Sequence, residues 1–440
     1  MRRNGVALAA AVMVAATACS GGSGGGNGEI AAPPSDPKKV SGEITVLTNR
    51  TDQISDGTLK KYAAEFRKVY PGVKVKFEGL TDYEGETKIR MNTENYGDVL
   101  LIPNSLSIKQ YPTFFAPLGT SGELSKKFDY TDHATVDGKV YGLAGIGVAN
   151  GFVYNKAVWS KAGIEDWPTT PDEFVADLKA IKSKTGAVPY YTNYKDGWPL
   201  TNWTNAIGSP RCDTGAYDSL ATTEKPWSKG STGSDLYAID ELLYTIVDQK
   251  LSEPDPTTTN WEDSKSQLGT GKVASMWLGS WAISQMRAAA EAAGENPDDI
   301  AFMPFPATTD GKFCSVLRPD YQYAINVHSD KKEAARAWID WYITKSGQSA
   351  AEGSISSVHG APLPDTLKAF SDNDVKLIPQ SQKNLAQVNE IDKASEIGIT
   401  AQDYRRKLVD IARGAADGDM SSYFAELNGK WAEAQQTLGG

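Results

Sequence analysis

The chain has 440 residues, 45 basic and 55 acidic, for a net charge of −10, and 40% of them are hydrophobic. An acidic surface of this kind speaks against nucleic acid as a partner, and the length suits two domains with their own cores. His133, His328 and His359 are scattered, and with no HExxH, CxxC or EF-hand spacing neither a metal nor a cofactor is expected.

Arg2 and Arg3 open the chain, and Val6 to Ala18 is apolar but shorter than the ~20 residues that cross a bilayer. This is the layout of a cleaved signal peptide over 1–18. Cys19 follows Ala16-Thr17-Ala18 directly and resembles a bacterial lipobox cysteine, acylated (palmitate) to become the new N-terminus. The Gly-rich, polar stretch beyond it reads as a lipid-anchored flexible tether over 19–41. Loss of Arg2 and Arg3 leaves 43 basic against 55 acidic residues, a mature charge of −12.

Glu43 to Leu47 reads as a buried strand, and Leu59 to Tyr70 as a helix that stops before Pro71-Gly72. Val73 to Phe77 alternates as a strand, Tyr83 to Asn92 reads as a helix and Asp98 to Ile102 as a third strand, with Asp98 in a structural role. That order predicts an α/β sheet with parallel crossovers. Ligands of such sheets lie beyond the carboxyl ends of the strands, here 48–51, 79–83 and 103–105.

Further on, Gly151 to Lys156 leads into a helix over Lys156 to Ala162, and Thr170 caps another that runs to Thr185. Tyr190 to Trp261 reads as irregular and rich in aromatics. Lys272 to Leu278 is a strand that breaks at Gly279-Ser280 and gives way to a helix at Trp281. Ile300 to Pro306 is a short edge strand, Tyr323 to Val327 another strand, Lys331 to Ile343 a helix, and the chain from Thr366 is mostly helical. Cys212 and Cys314 remain for a compartment where disulfides persist; a bond between them is expected, two buried thiols being the alternative.

Tyr141-Gly142-Leu143, Val153-Tyr154-Asn155-Lys156, Ala162-Gly163-Ile164, Gly271 to Met276 with Gly279-Ser280-Trp281, and Ala324-Ile325-Asn326 occur in an order that carries a family resemblance. The chain resembles the extracellular solute-binding proteins of carbohydrate ABC importers, the maltose-binding-protein-like group. The resemblance implies two α/β lobes joined by a hinge, with a ligand cleft between them. It implies a first lobe from 42–145 plus 320–352 and a second from 146–319 plus 353–440. The crossings would fall near Ala144 to Gly151, near Leu317 to Tyr323, and after Ser346.

A sugar needs flat aromatic rings for its C–H faces and directional partners for its hydroxyls. Trp281, at a strand-to-helix break behind Gly279, is the expected stacking platform, and Gly279 would admit a ligand close to the backbone. Trp198, on a loop of the second lobe, is a second candidate, whereas Trp277, Trp338 and Trp341 are read as packing. For the hydroxyls, Asn49, Arg50, Asp82 and Asn104 sit at strand ends, and Arg318, Asp320 and Tyr321 at a crossing. His359 is a candidate for the cleft wall.

The sequence therefore predicts a lipid-anchored monomeric receptor on the outer face of a bacterial membrane. It captures a mono- or oligosaccharide by lobe closure and delivers it to an ABC permease, without catalysis. A secreted glycoside hydrolase, and the same fold with a non-sugar solute, are the alternatives. Literal matches to GxSxG at Gly21 to Gly25, and glycine pairs at 145–147 and 269–271, lack the surroundings those motifs require.

Overall fold

The computed structural model describes residues 30–230, 235–381 and 383–439. The expected signal peptide, the acylated Cys19 and the first part of the tether lie outside the described residues. The tether does not extend to residue 41 as expected. Ala31 and Val40 are buried, the amide of Ala31 donates to the Pro117 carbonyl at 2.8 Å, and Arg336 donates to the Ala31 carbonyl at 2.8 Å.

One sheet is built on Ser41–Thr48, which pairs in parallel with Gly72–Gly79 over eight positions and with Val99–Leu101 at Val46 and Val99. Being flanked on both sides, its Ile44, Val46 and Leu47 are at most 2% exposed, the apolar run expected of a parallel strand. Gln322–Asn326 adds antiparallel to Val99–Leu101 and also pairs with Phe115–Ala116 and Leu143–Ala144. Helices Thr58–Val69 and Lys332–Thr344 cover this sheet, with Phe66 edge-on to Trp338 at 5.2 Å. Asp98 ties the sheet together, accepting from the Thr45 amide at 2.7 Å and the Ser329 hydroxyl at 2.6 Å.

The second sheet is centred on Ile146–Asn155, ten consecutive buried residues. Ser275–Gly279, Ile300–Met303, Lys312–Pro319 and Ile355–Ser356 all run antiparallel to it. Helix Pro171–Thr185 begins with Thr170 accepting from the Glu173 amide, while Glu173 accepts from the Thr169 amide at 2.7 Å, so reciprocal bonds fix the start. Cys212 and Cys314 form a disulfide with Cα atoms 5.3 Å apart and a separation of 102 positions in sequence.

Two segments differ from expectation. The region read as irregular contains helix Leu236–Asp248, seven of whose side chains are buried. Its buried residues Leu236, Ile239, Asp240, Leu243, Ile246 and Val247 recur at steps of three and four and form one inward face. The C-terminal region is helical apart from Lys376–Pro379, a strand that pairs in parallel with Lys312–Pro319.

The two sheets form the two lobes, and the chain passes between them at short links. Gly145 alone separates Leu143–Ala144 from Ile146–Asn155, and Asp320-Tyr321 separates Lys312–Pro319 from Gln322–Asn326. A third link leaves helix Lys332–Thr344 and reaches Ile355–Ser356. No helix among the described residues is long and apolar enough to cross a membrane, and no group of potential metal ligands occurs among them.

Candidate functional site

Where the links meet, a cavity of about 40 Å³ is lined by Asn49, Arg50, Gly145, Ile146, Asp320, Tyr321, Gln348 and Glu352, among others. That volume holds a few waters and no sugar ring. Arg50 immediately precedes the short helix Thr51–Ser55. Its guanidinium binds Asp52 at 2.8 and 3.0 Å and Glu352 at 2.9 Å, and Gln53 also donates to Glu352 at 2.9 Å. Burial opposes the Arg50 charge, but the Asp52 bond and the Glu352 carboxylate outweigh it and raise its pKa. Arg50 thus clamps the third link to the end of the first strand. Burial and the neighbouring Glu352 charge push Asp320 up to about 6.

On the first-lobe side Asp82 is exposed and caps helix Tyr83–Arg90, its side chain accepting from the Gly85 amide at 3.2 Å. Asn104 is exposed as well, and it is its backbone amide that donates, to Glu84 at 2.9 Å. Glu84 also accepts from the Ser105 hydroxyl at 2.9 Å and the Tyr321 hydroxyl at 3.0 Å. Burial, and then the Glu84 charge, raise the Tyr321 pKa well above the ordinary value. Sequence reasoning missed Glu84, because an acid in the first turn of a helix reads as a partner for its dipole.

The facing wall is aromatic. Trp281 is half-buried at the start of helix Ala282–Ala292, with ring centroids 5.9 Å from Trp198 and 5.8 Å from Trp261. Trp198 and Trp261 lie edge-on at 4.8 Å. Gly279 is buried, and a Cβ there would meet Nε1 of Trp281 at 2.5 Å and Val148 at 2.8 Å. The open space over this glycine therefore seats the Trp281 indole, rather than a ligand as expected. Trp261 was not singled out from sequence; its signal is Asn260, which caps helix Trp261–Gly269. Lys265 of that helix lies 5.2 Å over the Trp261 ring, and its charge also acts on Asp52 of the opposite lobe. Trp277 is core, as expected, stacked on Trp203 at 5.7 Å.

Arg318 and Asp320, expected to act together on neighbouring hydroxyls, have different partners. Asp320 lines the cavity at the links, while Arg318 donates to Oδ1 of Asn205. His133, on the first-lobe turn Thr131–Ala134, faces the Arg318 charge; burial, then that charge, push its pKa down to about 3. His359 is not brought to the cavity. It is exposed and pairs with Asp129 at 2.7 Å. Farther out, Lys109 of the first lobe forms an ion pair with Glu390 of helix Leu385–Ser395.

The family model described as bacterial extracellular solute-binding protein matches residues 51–349. A binding protein of an ABC transporter from Bifidobacterium animalis subsp. lactis, solved with mannobiose, is 34% identical. The match covers 92% of this chain and 96% of that one, with a TM-score of 0.85. A second protein from that organism, described as manno-oligosaccharide specific and solved with mannotriose, is 32% identical over 91% of this chain and 96% of that one, also at TM-score 0.85. An ABC transporter extracellular-binding protein of Pyrococcus horikoshii is 25% identical, and the chain spans 61% of its length. For the multiple sugar-binding protein of Streptococcus mutans the identity is 23%, over 72% of this chain and 77% of that one.

Proposed function

Because the chain belongs to the bacterial extracellular solute-binding proteins, we propose that it is a carbohydrate receptor that closes on a mono- or oligosaccharide and delivers it to an ABC permease. The observation that carries this reading is the half-buried indole cluster of Trp198, Trp261 and Trp281 on the second lobe, where Lys265 beside Trp261 is within electrostatic reach of Asp52 on the other lobe. Indoles supply the apolar face that a pyranose packs against, and the polar loops supply directional partners. The short links at Gly145 and Asp320-Tyr321 serve as the hinge, and ligand favours the closed form only as far as it contacts both lobes. Similarity to two manno-oligosaccharide-binding proteins favours a manno-oligosaccharide.

The receptor binds its sugar without turning it over, acts as a monomer, and is held at the outer face of the membrane by acylated Cys19. Calorimetry with mannobiose and mannotriose, coupled to product analysis, tests the first of these. Stoichiometric heat with unchanged sugar supports the receptor, and released monosaccharide supports a glycoside hydrolase. Heat from none of a panel of mono- and oligosaccharides would shift the reading to a non-sugar solute. Radiolabelled palmitate entering wild type but not Cys19→Ala tests the anchor.

A further inference from the structure

Among the hydrogen-bond donors of the second lobe that are shut off from solvent with no acceptor, alongside Nη2 of Arg405, are Nε of Arg318 and Nδ2 of Asn202. Their orientation follows from elementary valence. A guanidinium only donates, so its bond to Asn205 requires Oδ1 of that amide to face Arg318. The Asn205 Nδ2 is then turned toward Asn202, where it donates to Oδ1 at 3.3 Å. Asn202 is left holding an unspent donor. Each buried unmet donor costs about 1–3 kcal/mol, and more when charged. Burial depresses the Arg318 pKa with only Tyr217 opposing it, so no carboxylate compensates the charge.

The arrangement continues the aromatic wall. Trp198, Asn202 and Asn205 follow at steps of four and three along the adjoining helical turns Trp198–Thr201 and Asn202–Ala206, and so share a face. All three residues are half-buried, with Nδ2 of Asn202 itself closed off from solvent. His133 of the other lobe is within electrostatic reach of Arg318.

We propose that Arg318, Asn202 and Asn205 form a donor subsite that grips two neighbouring hydroxyl oxygens at one end of a saccharide lying along Trp198 and Trp281. The subsite rests on the carbohydrate reading above and adds Asn202 and Asn205 to it.

The test is calorimetry on the mature chain with mannobiose and with mannobioses that each lack one hydroxyl. Arg318→Met keeps the apolar stem and removes every donor. It is expected to weaken mannobiose binding roughly 10-fold or more, while the melting temperature of the free protein stays within a few degrees or rises. Wild type loses a similar factor on the one or two sugars that lack a gripped hydroxyl, and the variant loses nothing further on those. Unchanged mannobiose affinity in Arg318→Met overturns the subsite. So does a variant that keeps the wild-type ranking of the deoxy sugars, because the side chain then acts through the fold and not by contact. Should Arg318→Met fail to fold, Asn202→Ala measured on the same sugars decides. Wild type that binds none of these sugars, mannotriose or the other oligosaccharides removes the carbohydrate reading together with the subsite, whereas loss confined to the subsite's signature leaves that reading in place.

Discussion

Replacing Trp281 by alanine separates a sugar platform from a packing residue. The indole is half-buried, and its aromatic partners are Trp198 at 5.9 Å and Trp261 at 5.8 Å. Aromatic pairs contribute about 0.5–1.5 kcal/mol each, so truncation should cost the free protein about 1–3 kcal/mol. For a lobe of this size that is a fall of about 2–12 °C in melting temperature. A pyranose lying on the ring would bury an apolar face worth about 1.5–3 kcal/mol, or about 10- to 150-fold in Kd. Calorimetry with mannobiose and thermal unfolding without ligand read the two effects separately. Trp277→Ala supplies the contrast: that ring is 1% exposed, and its loss should cost about 3–5 kcal/mol of stability. If Trp281→Ala behaves like Trp277→Ala, destabilising strongly with affinity within twofold of wild type, the platform has been assigned to the wrong ring.

Asp240 and Arg405 form a fully buried ion pair at 2.8 Å, and Asp240 also accepts from the Trp227 indole at 2.8 Å. Asp240→Asn should cost about 3–5 kcal/mol in urea unfolding, because it strands a buried guanidinium. Burial pushes Glu253 up to about 7, with the Thr192 amide and hydroxyl opposing. The folded state therefore holds its proton more tightly than the unfolded state, and stability falls as pH rises from about 4.5 to about 7. Glu253→Gln should flatten that part of the profile, by at most ~3 kcal/mol; a slope equal to that of wild type would refute the assignment. Removal of the Cys212–Cys314 bond, which closes a 102-residue separation, should lower stability by up to about 4–5 kcal/mol on the chain-entropy estimate. Lys109 and Glu390 pair across the lobes while both are exposed. Lys109→Glu should weaken mannobiose binding no more than about 5-fold, and the charge-swapped double variant should restore it at low salt.

Local pattern in the chain was enough for the strands and helices of the first sheet, the Thr170 cap, the fold class and the family. The elements and the cap depend on residues within a few positions of one another, where a period of two or 3.6 and a capping side chain are directly visible, while the family shows in the order of short motifs along the chain. Helix Leu236–Asp248 was legible too, since Leu236, Ile239, Leu243 and Ile246 follow at helical spacing, but it sits inside a long stretch rich in aromatics that reads as irregular. The tertiary structure decided what the polar candidates do. Arg50 could be placed at a strand end from sequence, but its partner Glu352 lies about 300 residues away. Asp82 became a cap, Gly279 a seat for Trp281, and His359 a surface partner of Asp129. Glu84, Trp261, Asn202 and Asn205 gain meaning only from neighbours brought by distant segments. Secondary structure is written in short-range spacing, whereas a cleft is made by side chains whose separation along the chain says nothing about their separation in space.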